Sequence, residues 1–133
     1  MKKSIFSLDF KVRDYECDIQ GVVNNAVYLN YFEHTRHEFL KSVGFDFAKL
    51  TASNLLPMVY KAEVTYKVSL KSGDEFISKL SMASEGDFKV IYFQNLCRKK
   101  DHKLIAKAKI TKVFVRDDKP YPSKFYLDLL DEI

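Results

Sequence analysis

The chain of 133 residues has no tryptophan, two cysteines, three prolines and four glycines. It also lacks any apolar run long enough to span a bilayer. Cys17 and Cys97 lie far apart and form neither a CxxC pair nor a Cys/His ligand set. No disulfide framework, structural zinc or other metal site is therefore expected. So little glycine and proline leaves no flexible boundary, and there is no repeat or low-complexity tract. One domain over residues 1–133 is expected, within the ~100–150 residues common for domains. Met1, Lys2, Lys3 and Ser4 lead into an alternating stretch instead of an apolar one. No signal peptide is expected, which makes the cytoplasm the default. Charge of one sign is also scarce, with 22 Lys and Arg against 18 Asp and Glu for a net +4. That mild excess suits an anionic ligand such as a coenzyme phosphate. It falls short of the basic stripe of a nucleic-acid binder, so neither nucleic acid nor membrane is an expected partner. The densest cationic stretch, Arg98, Lys99, Lys100, His102 and Lys103, is broken by Asp101. It reads as a solvated turn, with a seat for coenzyme phosphates as the sharper alternative.

Aromatic side chains are plentiful: 11 Phe and 8 Tyr. They suit a half-buried sheet face, an oligomer interface or an acyl pocket. Phe6, Leu8, Phe10 and Val12 alternate with Ser7, Asp9, Lys11 and Arg13, which predicts a strand with one buried face. Periodicity then lapses around Gly21. From residue 26 to 43 apolar residues recur at helical spacing, with Tyr28, Leu29, Phe32, Phe39, Leu40 and Val43 on the inner side. Asn24 or Asn25 supplies a cap, and Gly44 a left-handed stop. Pro57 opens a long alternating run to Leu70, with Met58, Tyr60, Ala62, Val64, Tyr66 and Val68 on one side. Further strands are predicted over 75–84, 88–98 and 103–116, and Ser123 caps a short C-terminal helix carrying Phe125, Leu127, Leu129 and Leu130. A lone helix covers one face of such a sheet, and the last two strands carry apolar residues on both faces. The expected fold is α+β, a long central helix wrapped by a five-stranded antiparallel sheet, with a homodimer or homotetramer covering what is left.

The informative segment lies between the first strand and the helix. It carries Asp18, Gly21, Val23, Asn24, Asn25, Tyr28, Tyr31, Phe32 and Glu33. This Asp-x-x-Gly-x-Val loop, polar pair and Tyr-x-x-Tyr-Phe-Glu helix resembles the 4-hydroxybenzoyl-CoA thioesterase-like branch of the hotdog superfamily. The motif covers about a sixth of the chain, in the right structural context. The resemblance implies a hotdog fold and hydrolysis of an acyl-CoA to free acid and CoA, with no cofactor. It implies Asp18 as catalytic carboxylate, either nucleophile or general base.

Read from the residues alone, Asp18 is a loop carboxylate whose ordinary fate is a turn or solvent. Asn24, Asn25 and Ala26 open the helix, whose unpaired N–H groups and positive end would polarise a thioester carbonyl. Gly21 permits a turn closed to other residues and a close approach of substrate. Tyr15 orients Asp18, bonds the substrate carbonyl or packs as a core aromatic. Cys17 has no flanking cation or helix dipole to activate it and reads as filler. Glu33 is expected to pair with Arg36 or His37; it is the reserve catalytic carboxylate, since other hotdog thioesterases use a carboxylate on the helix. Many members of the branch place a His where Val22 or Asn25 stands, and this chain has neither. The competing readings are an acyl carrier protein thioesterase and a non-catalytic module that binds an acyl-CoA or a protein.

Overall fold

The computed structural model describes residues 4–130. Strand β1 (Phe6–Lys11) leads through a 3-10 turn at Asp14–Glu16 and a short loop to helix α1 (Asn25–Ser42). Then come α2 (Phe47–Ala52), β2 (Leu56–Tyr66), β3 (Glu75–Glu85), β4 (Lys89–Arg98), β5 (Leu104–Arg116), β6 (Lys119–Tyr121) and α3 (Lys124–Leu130). The strands form one antiparallel sheet in the order β1-β3-β4-β5-β2, with the short β6 added to β5. The sheet wraps α1, as the sequence led us to expect. No helix among the described residues is long and apolar enough to cross a membrane.

Both ends of α1 stop for local reasons. Asn24 accepts the Ala26 N–H on its side-chain oxygen at 2.9 Å. At the other end Gly44 takes φ +85°. There Phe45 N–H returns to the Leu40 carbonyl at 2.9 Å and Gly44 N–H to the Lys41 carbonyl at 3.1 Å, a Schellman closure. Tyr28, Phe32, Phe39 and Leu40 are buried as expected, joined by Tyr31, Thr35 and Arg36. They pack on Phe76, Leu80, Val90, Tyr92, Leu96 and Ile110 of the inner sheet face. Each such side chain contributes roughly 1.5–3 kcal/mol by leaving water. Leu29 departs from the expectation: it is 42% exposed, because it lies on the flank of the helix that faces the sheet's open edge.

That edge is β2, where the largest correction falls. The run expected from Pro57 to Leu70 leaves the ladder at Tyr66, where Lys67 and Val68 N–H both turn to the Ile105 carbonyl. A bulge between Val59 and Lys61 also shifts its phase. Pro57, Val59, Ala62, Val64 and Tyr66 therefore share the inner face with Lys112 and Ile110, while Met58 falls on the outer face. Ser123 holds the start of α3 through its carbonyl, which accepts from Tyr126 and Leu127 N–H, and its hydroxyl donates to Asp87 instead of capping. The side chains of Leu129 and Leu130, expected on that helix's apolar face, lie outside the described residues.

Candidate active site

The segment before α1 folds into a small two-armed ladder. Asp18 N–H donates to the Val22 carbonyl at 2.9 Å, Cys17 bridges Val23, and Asn24 N–H donates to the Glu16 carbonyl at 3.1 Å. Its tip is closed by Gly21, whose N–H reaches the Asp18 carbonyl at φ +79°, a backbone that only glycine adopts without strain. Among the described residues, chain neighbours aside, no atom stands within 4 Å of where a Gly21 Cβ would project, so the tip is open. Asp18 and the cap Asn24 are thus two rungs apart, about 7 Å along the arms.

The ladder is fastened on both sides. Val23 N–H donates to the Leu70 carbonyl at 2.9 Å, and Leu70 N–H donates to the Tyr28 hydroxyl at 3.1 Å. Glu16 accepts the Tyr31 hydroxyl at 2.9 Å and the Arg13 N–H at 2.8 Å. Burial, and then the Glu16 carboxylate, push the Tyr31 hydroxyl far above its ordinary titration range, so it stays a donor. These supports of the site went unread in the sequence. Tyr31 was read only as part of the family motif, outside the expected core row, and nothing marked Glu16 as its acceptor. Asp14 bonds Ser72, tying the 3-10 turn to the turn before β3.

Asp18 is exposed, and its Oδ1 accepts the Gln20 N–H at 2.9 Å and the Val22 N–H at 3.4 Å. Its role in the turn is therefore real. Oδ2 takes none of the hydrogen bonds found among the described residues. Asn25 and Ala26 are exposed at the first turn of α1, and the Asn25 N–H precedes the helical ladder. On the β2 side the Tyr66 hydroxyl donates to the Asn25 carbonyl at 3.2 Å, a contact no sequence signal announced.

Tyr15 does not pack as a core aromatic. Its ring is 78% exposed, and Arg13 donates to its hydroxyl at 2.9 Å. Ile19, next to Asp18, is fully exposed at 103%. Cys17 is half-buried against the core. Glu33 lies 3.7 Å from His37, as expected. In the cationic turn Arg98 pairs with Asp101 at 2.7 Å and Asp74 at 4.0 Å, and Lys99 with Asp9 at 3.0 Å. Much of its charge is thereby spent internally, and the Arg98 partner holds Asp101 down to about 2. Among the described residues no three His, Cys, Asp or Glu side chains gather as a metal site would need.

A profile of the thioesterase-like superfamily matches residues 12–131. An acyl-acyl carrier protein thioesterase of Arabidopsis thaliana chloroplasts is 33% identical over 117 residues, covering 88% of this chain and 62% of that one. A second of the same description is 40% identical over 88 residues, 66% of this chain and 46% of that one. The chain thus spans between about half and three-fifths of the length of these plant relatives. An acyl-CoA thioesterase of Haemophilus influenzae is 29% identical over 94 residues, 70% of this chain and 69% of that one. Among solved structures, a protein of Aquifex aeolicus superposes with a TM-score of 0.86 at 29% identity, over 94% of this chain and 98% of that one. The 4-hydroxybenzoyl-CoA thioesterase of a Pseudomonas strain gives 0.84 over 93% and 97%, and at 12% identity it speaks for the fold alone.

Proposed function

The chain belongs to the thioesterase-like superfamily, and from that premise we propose that it hydrolyses the thioester of an acyl-CoA, with Asp18 as the catalytic carboxylate. The observation that carries this reading is the free Oδ2 of an otherwise anchored carboxylate, two rungs from the start of an 18-residue helix. Oδ1 is held by the turn, so the reactive oxygen is oriented at no further entropic cost. The thioester carbonyl lies against the Asn25 and Ala26 end of α1, where helix N–H groups and the helix dipole stabilise the oxyanion. Gly21 leaves room for the substrate, and Tyr15 and Asn24 border it. Asp18 either attacks the carbonyl to give an anhydride that water opens, or removes a proton from the attacking water. In both routes the C–S bond breaks, CoA leaves as its thiol, and water supplies the acid's second oxygen.

The working unit in this reading is a homodimer joined along β2. β2 has one free edge and shows Leu56, Met58, Val59, Tyr60 and Tyr66 to solvent, an edge that proteins otherwise blunt or cover. Sedimentation at micromolar concentration should give at least twice 15.5 kDa. A mass of 15.5 kDa would remove the dimer from the proposal.

A second substrate reading, acyl groups carried on acyl carrier protein, is favoured by the activity of the Arabidopsis relatives. One assay separates the possibilities: a panel of acyl-CoA and acyl carrier protein thioesters with release of free thiol as readout. Preference for either carrier names the substrate. Failure of the wild-type protein on the whole panel turns the reading to a module that binds acyl-CoA or a protein without hydrolysis.

A further inference from the structure

The two flanks of α1 are built differently. On the flank facing β2, Ala26, Leu29, Glu33, Arg36 and Leu40 follow one another at three- and four-residue spacing. On the other flank Tyr31 and His34 meet Phe10 of β1. Across from the first row, β2 presents Tyr66, Val64, Ala62 and Val59 on its inner face. Tyr66, Ala62, Val59, Ala26, Leu29 and Glu33 are all exposed. The helix flank and the inner face of β2 therefore leave a largely apolar strip uncovered from the helix start towards the middle of α1.

Lys112 stands where this strip meets the interior. Its register partners are Val59 on β2 and Val90 on β4, which places its side chain on the inner sheet face. It is 7% exposed, and no hydrogen bond or ion pair joins it to a described residue. Arg36, 5% exposed, and the exposed Glu33 act on it from α1. Arg36 gives one N–H to Gln94 at 3.0 Å, and its Nε has no hydrogen-bond partner among the described residues. Behind Lys112 is a cavity of about 10 Å³, walled by Leu40, Phe45, Leu50, Pro57 and Phe114 as well as by Lys112 itself. That is room for about one water-sized group.

Building on the thioesterase reading, we infer that Lys112 is a specificity-determining residue that ends the acyl groove and sets the longest alkyl chain the enzyme accepts. An alkyl end pressed onto Lys112 strips solvent from a cation that has no hydrogen-bond or ion-pair partner among the described residues and offers it no hydrogen bond in return. From Ala26 to Arg36 the helix rises about 15 Å. At ~3.3–3.6 Å per three bonds of extended chain, that is about a dozen bonds. Medium-chain acyl groups therefore fit, and longer ones meet the ammonium. With Lys112 removed, the groove joins the apolar cavity behind it.

The test measures kcat/KM across acyl-CoA chain lengths for the wild type, Lys112→Met, which keeps the volume, and Lys112→Ala, which opens the cavity. The wild type should lose about tenfold or more between dodecanoyl and hexadecanoyl substrates, on the scale by which apolar pockets discriminate. Both variants should flatten that loss and leave hexanoyl turnover unchanged. A second readout is pH. Burial, and then Arg36, lower Lys112 to about 8. The groups around it do not titrate there: His37 is pushed down by burial, Tyr92 up to about 12 and Tyr126 higher still. The wild-type ratio of long-chain to short-chain rate should therefore climb through about pH 8, and that of Lys112→Met should stay level. An unmoved length profile in both variants, with hydrolysis intact, overturns this inference alone. No hydrolysis of any thioester by the wild type overturns it together with the reading it rests on.

Discussion

The two edges of the sheet finish in opposite ways. At β1 the strand is short and its inner aromatics are taken up by α1 and β3. Phe6 meets Phe39 edge-on at 5.6 Å, and Phe10 stacks on Phe76 at 5.1 Å while touching Tyr31. At β2 the strand is longer, bulged, and leaves apolar side chains in water. At the first edge the inner aromatics find partners within the chain, although a cavity of about 810 Å³ opens beside Phe10, Tyr31 and His34; at the second, apolar side chains stay exposed. The first edge thus has its aromatics packed within the chain, and the second borders the acyl groove proposed above.

The largest effect that would sharpen this contrast is on the closed side. Phe76→Ala removes a fully buried ring from beneath Phe10 and Tyr31. It should cost ~3–5 kcal/mol in denaturant unfolding. A loss under about 1 kcal/mol, the range of a surface substitution, would mean that the β1 edge is not the packed one.

On the open side the sign reverses. Lys112 titrates near 10.5 when unfolded and about 8 when folded, so the folded state holds fewer protons between those values. Wild-type stability should therefore rise from about pH 8 to pH 10.5, and the penalty is complete below that window. Lys112→Met should stabilise the protein by on the order of 3 kcal/mol at pH 7. The gain should fade as pH passes through the window. A destabilised variant at pH 7 would show that the ammonium has a partner in solution.

These two regions were also unequally legible in the sequence. The β1 edge and α1 follow local rules. Period two reads out Phe6, Leu8 and Phe10, and Asn24 and Gly44 mark the helix ends with caps that depend only on their neighbours. The β2 edge depends on a bulge at Tyr60, and a strict alternation of apolar residues conceals a phase shift. Nothing in the sequence marked Arg36 or Lys112 for burial, since charged residues usually belong in solvent. Their burial is created by parts of the chain brought in from elsewhere, including α2, whose six residues are too few for a periodic signal. Asp18 was legible only through its resemblance to a family, since its spacing alone describes a turn, and it does make one.

The smallest expected effect lies between the two edges, where the helix begins. Asn24→Ala removes the cap from Ala26 N–H and should cost about 1 kcal/mol while leaving the Asp18 turn in place. If it instead abolished activity without loss of stability, Asn24 would be touching substrate directly.

The central claim is that the free oxygen of Asp18 does the chemistry. The most direct measurement is steady-state kinetics of Asp18→Asn on the best acyl thioester, with unfolding followed in parallel. The amide oxygen still accepts from Gln20 and Val22 N–H, so the turn and the fold should survive. Loss of the carboxylate should lower kcat by ~10²–10⁴ while KM moves little, because the acyl groove and carrier contacts are untouched. Wild-type turnover by the folded variant would contradict the claim.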